Sequence, residues 1–63
     1  MSKINHVTMY KGGNKVEYKV FYENWIRTYN EKDNLPDTVV EFILNSANAE
    51  THTTENGTVT RFR

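Results

Sequence analysis

The sequence predicts a single α+β domain, residues 1–63, with a small antiparallel sheet built from two hairpins and covered on one face by one or two helices. Two regions alternate apolar and polar residues on either side of a glycine-containing turn, which is typical of hairpins. A third region, residues 35–47, repeats apolar residues at the spacing of a helix. A chain of 63 residues is near the lower limit for independent folding, so these elements must share one core.

The first hairpin is predicted over residues 4–22, with its turn in the segment 11–15. Two loops fit this segment. If Gly12 and Gly13 form the loop, Met9 faces Val16; if Gly13 and Asn14 form it, Met9 faces Tyr18. The two registers differ by an even shift, so they place the same side chains on the same face. The predicted buried face consists of Val7, Met9, Val16, Tyr18 and Val20.

An aromatic segment, residues 16–29, follows the first turn. Its alternating first half predicts a strand, and the spacing of Phe21, Trp25 and Tyr29 predicts a helix from Trp25 to Asn30 or Lys32. Asn24 would then be the N-cap. The alternative is a strand that continues through Trp25 and Arg27, so residues 24–32 are open between helix and continued strand.

A second helix is predicted from the Leu35-Pro36-Asp37-Thr38 segment onward. Proline suits the first turn of a helix, and an aspartate suits its positive end. Val40 and Leu44 lie outside the centre of the apolar stripe, so the helix is either widely buried or offers a second apolar strip. A strand is the alternative, because residues 38–44 are rich in β-forming residues. The predicted stripe consists of Leu35, Val39, Phe42, Ile43 and Ala47.

The second hairpin is predicted over residues 50–63, around a type I′ turn with Asn56 and Gly57 as its loop. In that register, His52 faces Arg61. The C-terminal segment, residues 59–63, is predicted to be a free edge of the sheet. An exposed edge can pair with another strand, which would give a homodimer or capture a strand of a partner.

Composition argues against several classes of function. Eight Lys and Arg residues balance eight Asp and Glu residues, whereas a nucleic-acid-binding protein normally carries a positive excess. The chain has no cysteine, and His6 and His52 lack the spacing of metal ligands, so neither a metal nor another cofactor is predicted. No catalytic motif is present. The N-terminal residues lack a signal sequence and no apolar run is long enough for a bilayer, so we expect a cytoplasmic protein without membrane contact.

The best candidate for a binding site is the outward face of the first hairpin. There His6, Thr8 and Tyr10 lie beside Glu17 and a group of lysines, and the C-terminal residues extend the face. Aromatic and cationic side chains on a sheet suit both protein interfaces and single-stranded nucleic acid. The predicted binding residues are Tyr10, Lys15, Lys19, Arg61, Phe62 and Arg63.

These observations predict a small non-catalytic protein-binding module that docks on a larger protein and modulates or inhibits it. Free-standing chains of this size are often phage-encoded or accessory regulators. The alternative is a nucleic-acid-binding domain that uses the face with Lys11, Lys15 and Lys19.

Overall fold

The computed structural model describes residues 3–63, so Met1 and Ser2, at the start of the N-terminal stretch considered above, lie outside it. The described chain forms a five-stranded antiparallel sheet and one short helix, which confirms the predicted α+β class at this level. The strand order is β3-β2-β1-β5-β4. The elements are β1 (Ile4–Gly12), β2 (Lys15–Tyr22), β3 (Ile26–Asn30), α1 (Asp37–Leu44), β4 (Ala49–Thr54) and β5 (Gly57–Phe62).

The first two strands pair in the second of the two predicted registers. Met9 pairs with Tyr18 and Gly12 pairs with Lys15, so Gly13 and Asn14 form the loop. Gly13 has a φ of 57°, a left-handed conformation that glycine adopts without the steric cost of a Cβ. The predicted residues therefore share one face of the sheet.

The predicted helix over residues 25–32 is wrong, because this segment contains β3. The chain reverses after Tyr22, whose backbone N–H donates to the carbonyl of Trp25 at 2.8 Å, so Asn24 lies in a turn and caps no helix. An uninterrupted strand through Trp25 is equally wrong. Tyr29 then pairs with Tyr18. Pairing with β2 satisfies the backbone of a segment whose β-branched and aromatic residues favour strands over helices.

The prediction that residues 59–63 form a free edge is also wrong. β5 lies inside the sheet, between β1 and β4, and Phe62 pairs with Val7. The second hairpin buries little apolar surface by itself, and docking on β1 provides the surface that it lacks. The edges of the sheet are β3 and β4.

The second turn lies one residue earlier than the sequence predicts. Thr54 pairs with Gly57, so the loop consists of Glu55 and Asn56, and His52 faces Val59 where Arg61 was expected. Gly57 has a φ of 142°, and a Cβ at this position would overlap the carbonyl oxygen of Lys11. The close approach of β1 and β5 therefore requires a glycine at this position. The predicted reason, a loop position in a type I′ turn, does not apply, because Gly57 lies outside the loop.

The core contains side chains from three strands and the helix. Val7, Val20 and Val39 are fully buried and Tyr29 is nearly so. The helix begins at Asp37 after Pro36, which confirms the predicted start and excludes the strand alternative. Leu44 is 77% exposed, so the helix offers a second apolar strip and is not widely buried. Partly buried residues around this core are Ile4, Tyr18, Tyr22, Leu35, Phe42, Ile43 and Phe62.

Among residues 3–63, no helix has both the length and the apolar character that a membrane-spanning helix needs.

Candidate binding face

The sheet has a second face, which we call the open face, opposite the side chains of the core. Cross-strand partners share a face, and successive residues of a strand alternate between faces. The pairing of β1 with its two neighbours therefore places a mixed set of side chains on the open face, among them His6, Thr8, Tyr10, Glu17, Lys19 and Arg61.

Tyr10 lies in the middle of this face, on the central strand. It pairs with Glu17 of β2 on one side and with Val59 of β5 on the other. The ammonium group of Lys19 lies 5.5 Å from the centre of its ring, within the range of a cation–π interaction. The tyrosine is half-buried, so its ring is held by three strands while part of it stays accessible.

A second aromatic group lies at one end of the open face. The rings of His6 and Phe21 stack with their centres 4.2 Å apart and an interplanar angle of 16°. Burial lowers the pKa of His6 below its usual value of 6.5, and the positive charges of Arg61 and Arg63 lower it further. The lowered pKa favours the neutral form of His6, which adds an uncharged aromatic ring to the face.

This aromatic row continues to the edge strand. Phe21 pairs with Ile26, which is 55% exposed. Sequence reasoning left both residues out of the site: it used Phe21 as the first residue of a helical spacing, and it assigned Ile26 to the helix itself. The signal was present, since Phe21 continues the alternation of Glu17 and Lys19 on the outward face of β2.

Thr8 lies on the open face but is only 4% exposed. Its cross-strand partners are Lys19 on β2 and Arg61 on β5. The long aliphatic stems of such residues can lie over a small neighbour while their charged ends stay in water. The centre of the face is therefore closely packed beneath its charges.

Four of the six predicted binding residues share the open face: Tyr10, Lys15, Lys19 and Arg61. Lys15, opposite Gly12, contributes with Tyr10 and Lys19 to the lining of a shallow depression of about 380 Å³. The predicted residues of β1 and β2 are thus brought together from both sides of the first turn.

Phe62 and Lys11 lie on the core side of the sheet. Phe62 packs against the core, and Lys11 pairs with Val16 and Thr58 on the core side of the sheet, so neither belongs to the open face. Alternation within each strand is the physical reason for both corrections. The backbone of Arg63 is anchored: its N–H donates to the carbonyl of Asn48 at 2.9 Å, and its carbonyl accepts from the hydroxyl of Ser46 at 2.7 Å.

The charge of the open face is mixed. It carries three cations, Lys15, Lys19 and Arg61, and two carboxylates, Glu17 and Glu50, which gives a formal excess of one positive charge from these five side chains. One carboxylate directly faces the central tyrosine. The face therefore combines an apolar end with a centre that carries both signs of charge.

Within the described range, residues 3–63, no three His, Asp or Glu side chains are grouped so that they could hold a metal ion. No protein-family model, no curated protein and no solved structure matches this chain.

Proposed function

We propose that this chain is a small non-catalytic protein-binding module that docks through its open face on a larger protein and modulates it. The observation that carries the proposal is the arrangement around Tyr10. A half-buried tyrosine stands at the centre of the face, with Lys19 over its ring and Arg61 on the next strand but one from Lys19. Tyrosine and arginine, with tryptophan, are the residues most enriched among those that supply the binding energy of protein interfaces.

The proposal takes α1 as the element that covers the other face of the sheet. Val39 of the helix is buried together with Val7 and Val20, whose side chains point away from the open face. The open face would then be available to a partner while the core stays closed.

The apolar end of the open face adds to the argument. His6, Phe21 and Ile26 form a row next to the charged centre, and the outermost residue of this row is more than half exposed. Apolar and aromatic contacts surrounded by polar groups are typical of protein interfaces. Burial of the row by a partner would supply affinity, and the charges beside it would supply specificity.

A single-stranded nucleic acid is the second candidate ligand. The rings of His6, Phe21 and Tyr10 share one face with three cations, and bases stack on rings while lysines and arginines meet phosphates. Glu17 opposes this candidate, because it lies beside the central ring where a phosphate backbone would have to pass. The face that would have combined Lys11 with Lys15 and Lys19 is divided between the two sides of the sheet. We therefore favour a protein partner.

The test is affinity capture from a lysate with the tagged chain, with and without nuclease, followed by mass spectrometry. We expect a protein in stoichiometric amount that survives nuclease and that is lost with Tyr10→Ala and with Lys19→Glu. Lys11→Glu is the matched control, since it makes the same change of charge on the same hairpin but on the opposite face. Circular dichroism establishes that each variant is folded.

Two results would overturn the proposal. A captured protein retained by both open-face variants but lost with Lys11→Glu would move the site to the other face. Capture that disappears entirely on nuclease treatment would instead support the nucleic-acid candidate.

A further inference from the structure

β4 is an outer strand whose six residues are all exposed. The backbone N–H of Arg63 donates to the carbonyl of Asn48, which makes these two residues a hydrogen-bonded pair of the β4–β5 ladder. Such pairs alternate along an antiparallel ladder, so the next residue on β4 directs its N–H and C=O away from β5. The outward positions of β4 are therefore Ala49, Thr51 and Thr53.

The opposite edge, β3, is partly closed. The N–H of Glu31 donates to the carbonyl of Val16, so by the same alternation Asn30 points outward. The N–H of Asn30 donates to a carboxylate oxygen of Asp33 at 2.9 Å, and its carbonyl accepts from the N–H of Asp33 at 3.0 Å. One outward position of β3 is thus already occupied.

The outward positions of β4 pair with no other strand of residues 3–63. Natural edge strands are commonly protected by lysines, prolines or bulges, and the sequence of β4, Ala-Glu-Thr-His-Thr-Thr, contains neither lysine nor proline. Its regular register with β5 shows no bulge. This edge therefore has the features of a strand that pairs with another chain.

We propose that β4 pairs antiparallel with β4 of a second copy of this chain, about a two-fold axis at Thr51. In this register Thr51 pairs with its symmetry mate and Ala49 pairs with Thr53 of the other chain. All three outward positions of each copy then exchange both of their backbone hydrogen bonds. The partner is a second copy, because the strand is complementary to itself.

The charges of β4 select this register. Glu50 of each chain faces His52 of the other, in pairs that are not hydrogen-bonded and whose side chains lie closest, with Cα atoms about 4.5 Å apart. A carboxylate opposite an imidazole is favourable, through a hydrogen bond or, after protonation, an ion pair.

The two neighbouring symmetric registers have less favourable side-chain pairs and fewer backbone hydrogen bonds. An axis at Glu50 places two carboxylates opposite each other, and an axis at His52 places two imidazoles opposite each other. Each uses only two of the three outward positions of each chain. The register centred on Thr51 is thus favoured by its backbone and by its side chains.

The core side of the same strand adds a polar ladder. The hydroxyl groups of Thr51 and Thr60 lie 3.2 Å apart within one chain. In the dimer, the two copies of Thr51 would be neighbours, so the ladder would continue through the axis with four threonines. The result is one sheet across both chains, with the two open faces on the same side. This inference is independent of the proposed function.

The first test is sedimentation equilibrium over a wide range of protein concentration. We expect a monomer–dimer equilibrium whose dissociation constant rises at least about tenfold with Thr51→Pro, because proline removes an outward N–H from each chain. Thr51→Val is the matched control. It also loses the hydroxyl contact with Thr60, and with it the threonine ladder, but it keeps the N–H, so its dissociation constant should rise much less than that of Thr51→Pro.

A charge exchange tests the register. Glu50→Lys should weaken the dimer, since a lysine would then face His52, and the double variant Glu50→Lys/His52→Glu should restore it. Amide hydrogen exchange gives a measurement without substitution. Protection at Ala49, Thr51 and Thr53 should rise with concentration, while Glu50 and His52, already bonded to β5, should change little.

A chain that stays monomeric at every concentration would overturn the proposal. So would a dimer that Thr51→Pro leaves intact, or exchange protection that rises on β3 and not on β4.

Discussion

The core face and the open face of the sheet are made from alternate residues of the same strands, yet they differ in chemistry. In β2, Val20 is fully buried and packs in the core, whereas its neighbour Lys19 points the other way and lies over the ring of Tyr10. Four apolar residues are buried within residues 3–63, and this alternation separates the side chains that stabilise the fold from those available to a partner.

Thr8 departs from this division. It belongs to the open face by register, but it is as inaccessible as a core residue. Exposure on the open face therefore depends on the neighbours of each side chain as well as on the face to which it belongs.

The largest loss of stability is expected from a substitution at Gly57, which has no side chain on either face. In Gly57→Ala, the new Cβ would overlap the carbonyl oxygen of Lys11 and would lie 2.7 Å from the Cα of Gly12. These are backbone atoms, so β1 and β5 must separate at this end of the sheet. A domain of this size has only about 3–5 kcal/mol from its core, and we expect Gly57→Ala to be largely unfolded in urea titrations followed by circular dichroism.

Gly13→Ala is the matched control for this experiment. Gly13 also has a positive φ, 57°, but nothing lies within 4 Å of the position of a new Cβ. Only the conformational cost of a left-handed residue remains, about 1–2 kcal/mol. Equal loss of stability in the two variants would contradict the argument that strand packing requires Gly57.

The next effect compares the two faces directly, at neighbouring positions of β2. Val20→Ala removes two methyl groups from a fully buried site and should lower the free energy of unfolding by about 2 kcal/mol. Lys19→Ala, on the open face, should change it by about 0.5 kcal/mol or less. Urea denaturation measures both values. A loss at Lys19 as large as that at Val20 would show that the open face also carries the stability of the fold.

The assignment of most side chains to faces could be predicted from the sequence, with Lys11 and Phe62 as exceptions, and the details of the turns could not. The second turn lies one residue from its predicted place, which changes the partner of His52 from Arg61 to Val59. The new partner is two residues away from the predicted one, and residues two apart on a strand share a face, so every side chain of this hairpin keeps its face. Alternation is thus a more robust signal than the choice of turn, because a turn also depends on the strand packed beside it.

The segment 25–32 shows the limit of spacing arguments. Residues four apart lie on one side of a helix, but four is also a multiple of two, so they share one face of a strand as well. Trp25 and Tyr29 fit both patterns. Pairing with β2 stabilises the strand over the helix, and this contact between two segments is not encoded in local spacing.

The candidate site was predictable only where it lies within one hairpin. Tyr10, Lys15 and Lys19 come together through a single turn, and parity alone places them on one face. The neighbours of the site depend on the order of the strands. Sequence reasoning took β5 as an edge and so missed that β4 is the exposed strand.

The smallest expected effect is a pH dependence that originates on the open face. The pKa of His6 is lowered in the folded chain, mainly by burial and then by Arg61 and Arg63. The unfolded chain therefore takes up a proton first, near pH 6.5, and unfolding becomes more favourable as the pH falls. The stability contributed by neutral His6 is fully present above pH 6.5 and is lost as the pH falls through the lowered pKa.

His6→Phe tests this assignment, because phenylalanine keeps an aromatic ring beside Phe21 but does not titrate. Urea denaturation of both proteins at about pH 7.5 and about pH 5.5 brackets the usual histidine pKa. We expect the natural chain to lose more stability on acidification than the variant. An identical loss in the two proteins would mean that the stacked ring of His6 accepts its proton as easily as in the unfolded chain, and that the positive charges of the open face do not reach it.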